Sequence, residues 1–246
     1  MVKKFLYVAI LIATVCALAL PTAASAVEKA LGSANELLVA DFDSGEKPNN
    51  IGGDFGAWSK DPTDFSQGCT ESFDSVNRSG TKGFGMKLEY SVDSKNPAYN
   101  GFWLFLQNLD ASKYDNLAFK VKGDAKIGYT TVFKVELKNA AKQVGRYYVT
   151  NISDQWQDQV IPLKDFKGIT DFSNLTEFVI VFEDRIASNK KGVVYFDDLR
   201  FTKKQSHLSL RAKRSNPEGC EDVKHPKQSS EIASSLALLA MTPDQL

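Results

Sequence analysis

Two sets of side chains in this chain are of types and spacings that could do chemistry. The first joins the two ends of its patterned region: Asp41 and Asp43 in VADFDSG, and Asp197 with Asp198 in YFDDL. Hard carboxylate oxygens brought together from a first and a last strand suit Ca²⁺, which takes six to eight oxygen ligands, backbone carbonyls included. The expected set is Asp41, Asp43 and Asp197. Asp197 is preferred over Asp198 because it shares a phase with Leu199 and Phe201 and so points inward, where an unpaired carboxylate is costly. The local spacing is not an EF-hand, since Asp41-x-Asp43-x-Gly45 lacks the third acid and the distal Glu. The competing assignment makes Asp43 the start of a turn with Ser44-Gly45, and Asp198 a solvated residue.

The second set is a face. Three runs show one apolar phase: Phe102, Leu104, Leu106; Phe133, Val135, Leu137; Phe178, Ile180, Phe182. Their opposite phases present Trp103, Phe105 and Gln107 on one run, and Lys134 with Glu136 on another. Arg146 and Tyr148 lie on a third and Glu183 on a fourth. Aromatic rings beside carboxylates and a guanidinium can hold a sugar: the ring stacks on the apolar face of a pyranose, and the charged groups bind vicinal hydroxyls. The competing assignment buries Trp103 and Phe105 under a loop and leaves the charges as a solvated face. Glu136 and Glu183 are also the one pair that could serve a glycoside hydrolase or lyase, which needs two facing carboxylates. Lys134 and Arg185 nearby offer a plain ion-pair explanation for both.

What is missing narrows the chemistry further. The only histidines are His207 and His225, both beyond the last patterned run. The patterned region therefore has no imidazole for a Ser-His-Asp or Cys-His mechanism or for a zinc site. Cysteines stand at 16, 69 and 220, which makes no disulfide framework. With 30 basic and 30 acidic residues the net charge is zero, and no basic block in the patterned region suggests nucleic acid. In GGDFGAWSKDP, Gly52, Gly53 and Gly56 imply unusual backbone angles or close approach. Packing roles are expected for Phe55 and Trp58, and no phosphate-binding fingerprint is present.

These residues must be positioned by strands. Alternating runs are expected at Leu37–Phe42, Cys69–Val76, Phe84–Val92, Gly101–Gln107, Asn116–Val121, Thr130–Leu137, Arg146–Ile152, Gln157–Ile161, Glu177–Glu183 and Val193–Phe201. Asp43–Pro62 reads as one long loop. Period-2 alternation with Gly, Asn and Asp between runs predicts an all-β antiparallel sandwich or jelly roll over 36–203. Pro162 cannot donate to a ladder, so the run before it must end there or lie at an edge.

Three segments in this order, YDNLAFKVKGD, WQDQVIPLKDF and VVYFDDLRF, resemble secreted carbohydrate-binding modules of the galactose-binding-like jelly-roll type, family 11 modules among them. The resemblance covers Leu37 to Thr202. It implies oligo- or polysaccharide binding on a concave sheet face, without catalysis, by Trp103, Lys134, Glu136, Arg146, Tyr148 and Glu183. It also implies a structural calcium at the Asp41–Asp43–Asp197 end, and a structural role for Trp156. A secreted protein-interaction module without a sugar ligand is the remaining alternative.

The ends read differently. Lys3 and Lys4, the apolar run Phe5–Leu20 and Ala24-Ser25-Ala26 form a signal peptide over 1–26, giving a secreted or periplasmic, monomeric product with no membrane span. Residues 204–246 are polar and aperiodic, apart from a possible short helix at Glu231–Met241, and are expected to be a disordered tail.

Overall fold

The computed structural model describes residues 35–204. The segment expected to be a signal peptide, and the expected tail beyond Lys204, lie outside the described residues. Among these residues eleven strands are divided between two sheets: β1 (Glu36–Ala40), β2 (Phe55–Ser59), β3 (Gly68–Asp74), β4 (Gly85–Ser91), β5 (Tyr99–Leu109), β6 (Asn116–Gly123), β7 (Phe133–Asn139), β8 (Val144–Val149), β9 (Gln157–Pro162), β10 (Leu175–Glu183) and β11 (Lys191–Thr202). Every strand pairing is antiparallel. One sheet has the order β3-β4-β11-β6-β9, and the other β2-β5-β10-β7-β8. β1 takes over from β4 along β11, pairing Leu37 with Phe201 after β4 has paired Met86 with Phe196.

The sandwich follows from the alternation. The apolar phases of β5, β7 and β10 named above are all fully buried, as are Met86, Leu88, Phe119, Val121, Val194, Phe196, Leu199 and Phe201 from the facing sheet. β9 is an edge strand and ends at Pro162, as the missing N–H requires. The segment read as one loop, 43–62, instead contains β2. It is the edge strand beside β5, and its free edge is covered by side chains: Glu71 of β3 accepts the Ala57 N–H at 2.9 Å, and Lys47 donates to the Phe55 carbonyl.

Phe196 is the hub of the core. Its ring lies 5.1 Å from Phe119, 5.8 Å from Phe42 and 6.3 Å from Phe102, and it stacks on Phe178 at 5.6 Å and 15°. Phe178 sits on β10 and Phe196 on β11, so this stack ties the centres of the two sheets together. Phe196→Ala is expected to cost about 3–5 kcal/mol. It should lower the melting temperature by roughly 10 °C or more in a calorimetric scan.

Candidate functional site

The outward side of the β2-β5-β10-β7-β8 sheet is organised in rows fixed by strand register. One row runs Trp58–Gly101–Val181–Lys134–Tyr148, and the next Gly56–Trp103–Val179–Glu136–Arg146. A third holds Phe105, Glu177, Lys138 and Val144, and Tyr99 faces Glu183 beyond the first. Aromatics thus come from β2 and β5, with Tyr148 on β8, charges from β7, β8 and β10, and two buried valines lie between. Directly opposed side chains in such pairs approach within about 5 Å, so the register alone brings these groups together.

The result is a groove of about 350 Å³ lined by Trp58, Tyr99, Trp103, Lys134, Glu136, Lys138, Glu177, Val179 and Val181. The Trp103 ring lies over Gly56, where a Cβ would press on the indole at 3.2 Å. Trp58 packs edge-on to Tyr99 with centroids 5.9 Å apart, and Trp103 leans on Phe105 at 4.6 Å. The charged wall is paired throughout. Lys134 Nζ lies 3.1 Å from Glu136 and also donates to Glu183. Arg146 Nε is 3.5 Å from Glu136, and Lys138 Nζ is 2.9 Å from Glu177. Burial opposes the charge on Lys134, yet the two carboxylates bonded to it hold its ammonium above the usual lysine range. A larger depression of about 470 Å³ lies beside Tyr114, Pro162 and Phe172. Its Asp115 carboxylate accepts the Lys204 backbone N–H at 2.7 Å, and none of the side chains expected to bind ligand lines it.

Of the six side chains expected from the sequence, Trp103, Lys134 and Glu136 line the groove. Glu183 and Arg146 join it through their ion pairs, and Tyr148 stands half-exposed at the β8 edge of the first row. The packing role expected of Phe55 holds, since it is buried in the core. That expected of Trp58 holds in its contact with Tyr99, but on β2 its side chain alternates away from Phe55 and also lines the groove. Tyr99, Lys138 and Glu177 were also missed. Extension of β5 back to Tyr99 and of β7 on to Asn139, with the pairing of Lys138 and Glu177, places them there, and neither is visible before the register is known.

The expected metal ligands are not gathered. Among the described residues no three or more His, Cys, Asp or Glu side chains stand where they could hold a metal ion. A bulge explains why. The β11–β6 register slips between Asp197 and Arg200, with Asp198 at a positive φ of 52°. Asp197 therefore does not share the core phase of Leu199 and Phe201; it falls on the side of Tyr195. It is nonetheless only 2 % exposed, because residues after β3 cover it. There Asp197 Oδ2 accepts the Ser79 N–H at 2.8 Å, and Oδ1 accepts the Asp198 N–H at 2.9 Å. Asp41 and Asp43 follow the end of β1, where Asp41 Oδ1 accepts the Asp43 N–H at 3.3 Å.

A family model described as Carbohydrate binding domain 30 matches residues 53–203, a span that holds β2 through β11 and every residue of the groove. The chain belongs to that family. Among solved structures, this carbohydrate binding domain is similar to the family 11 carbohydrate-binding module of a cellulosomal cellulase of Clostridium thermocellum. The match has 20 % identity and a TM-score of 0.52, and covers 70 % of this chain and 96 % of that one. A family 11 module of the same organism in complex with a β-1,3-1,4-mixed-linked tetrasaccharide matches at 20 % identity and a TM-score of 0.53, over 70 % and 98 % of the chains. These likenesses show the jelly-roll fold. No curated protein matches the domain significantly.

The bulge at Asp198 has a consequence for pH. Burial, with the Asp198 carboxylate adding to it, pushes Asp197 up to about 6, against backbone donors that pull it down. In the unfolded chain it titrates near the ordinary value of about 3.9. The folded state then binds more protons between these values, so this group's share of stability is greatest below about pH 4 and is lost as pH rises through 6. In chelator-treated protein, the wild type should lose stability across that window relative to Asp197→Asn. Equal slopes of unfolding free energy against pH for the two proteins would contradict it.

Proposed function

We propose that this domain is an exported, non-catalytic, monomeric module that holds a neutral oligo- or polysaccharide in the groove of the β2-β5-β10-β7-β8 sheet. One observation carries the reading: strand register sets Trp58 and Trp103 on one side of a valine floor and a fully paired set of charges on the other. A pyranose has the same two-sided chemistry, with an apolar C–H face for the indoles and hydroxyls for carboxylates and ammonium groups. The groove and its adjoining ion pairs hold Lys134, Lys138 and Arg146 against Glu136, Glu177 and Glu183, which balance to zero. That balance favours an uncharged glycan over a uronate or sulfated one. The family 11 relative is bound to a β-1,3-1,4-mixed-linked tetrasaccharide, and a soluble β-glucan-like oligosaccharide is the ligand proposed here. Among the described residues no helix is long and apolar enough to cross a membrane.

A hydrolase acting through Glu136 and Glu183 is the weaker reading. Both carboxylates close on the Lys134 ammonium, so they do not flank an open space for a glycosidic bond.

Calcium enters at one residue. Asp197 is buried beside a like-charged neighbour, and among the described residues no lysine or arginine pairs with it. Those are conditions that a hard cation relieves. As a proposed ligand of a bracing ion, Asp197 would give the native state roughly 2.7 kcal/mol at a hundredfold excess of Ca²⁺ over its dissociation constant. An unchanged thermal transition on adding chelator would remove calcium from the account.

Titration calorimetry against soluble β-glucan oligosaccharides should give dissociation constants on the order of 10 μM to 1 mM, as for a shallow, hydrated site. Trp103→Ala and Trp58→Ala should each weaken binding tenfold or more while leaving a cooperative thermal transition. No heat with any neutral glycan would overturn the assignment.

A further inference from the structure

Phe65 is 97 % exposed, yet the loop that carries it is held fast on both sides of the ring. The Asp64 carboxylate accepts the Ser66 N–H at 3.1 Å and the Ser66 hydroxyl at 2.6 Å. It also takes the Gln67 amide at 2.9 Å, the Ser94 hydroxyl at 2.7 Å and the Asn96 amide at 3.2 Å. Ser91 Oγ donates to the Ser66 carbonyl at 2.7 Å, closing the clasp onto β4. Across a depression of about 450 Å³ stands Ile127, 57 % exposed. A second carboxylate fixes its turn: Asp124 accepts the N–H groups of Lys126 and Ile127 at 2.8 and 3.1 Å and the Tyr195 hydroxyl at 2.8 Å. Thr70, Glu89, Ser91 and Lys191 also line this depression.

We infer that this depression is a second saccharide-binding site, on the opposite sheet from the groove, with Phe65 as its stacking ring. The occupant follows from what is presented. A protein partner needs about 800 Å² of its surface covered, with a contiguous apolar centre. Here two separate apolar side chains share the depression with hydroxyl, carboxylate and ammonium groups. A single pyranose unit needs one ring to stack on and polar groups at its rim, and this surface supplies both. The clasp matters because a loop already held in place leaves only the side-chain torsions of Phe65 to be ordered on binding. This site does not draw on the residues of the groove, so each can bind when the other is disabled.

The test is a titration of ¹⁵N-labelled full-length protein with cellotetraose, the β-1,3-1,4-mixed-linked tetrasaccharide and xylotetraose, followed by amide chemical shifts. With at least one sugar, the amides of Ser66, Gln67 and Ile127 should move and saturate, and should do so equally in Trp103→Ala. Phe65→Ala should weaken that response at least tenfold without altering the response of Trp58 and Gly101. Because Phe65 is nearly all in solvent, this variant should keep the wild-type melting temperature within about a degree. Shifts confined to the groove amides would overturn the second site and leave the groove standing. Shifts confined to the Phe65 loop would do the reverse, and a silent spectrum with all three sugars would overturn the inference. If Phe65→Ala instead converts a dimer to a monomer in sedimentation, the patch belongs to a second copy of the chain and the inference fails.

Discussion

The stacked pair Phe178–Phe196 is the contact on which the rest of the molecule depends. β10 and β11 are the central strands of their sheets, and this stack sets how one sheet lies on the other. Because side chains alternate strictly along a strand, fixing Phe178, Ile180 and Phe182 in the core also fixes Val179 and Val181 on the far side. Those valines are the floor of the groove. A one-residue slip of β10 would send the phenylalanines to solvent and fill the floor with bulk, so the recognition surface is held by a hydrophobic constraint it never touches.

The groove itself is an electrostatic compromise. Lys134 and Glu136 each keep about an eighth of their side-chain surface in water, so each charge relies on its partner to offset the cost of burial. Sharing one ammonium between Glu136 and Glu183, with Arg146 behind Glu136, holds the acceptors in fixed positions before any ligand arrives. Hydroxyl recognition by such groups needs little rearrangement.

Alternation made the sandwich, its core phases and three of the groove residues legible in the sequence. It failed in two places, for physical reasons. FGAWS is short and carries Gly56, so β2 looked like loop, although a glycine alternating with Trp58 is a signal of a ring packed across the neighbouring strand. YFDDLRF looks regular, but the extra residue of a bulge resets the phase between Asp197 and Leu199, and a bulge has no signature in residue type alone. Trp58, Tyr99, Lys138 and Glu177 were out of reach for a third reason. Their meeting depends on which strands are neighbours, and that is a property of topology rather than of any local pattern.

The placement of Trp103 over Gly56 bears on how this surface can change over evolutionary time. A residue with no side chain contributes no side-chain atom to recognition, yet a Cβ at 56 would press on the indole and require it to give by a few tenths of an ångström. Substitution profiles across relatives should then show an invariant position that looks like a binding residue and touches nothing. Drift in glycan preference would have to come through the charged rows of β7 and β8, where side chains can be exchanged without moving a ring.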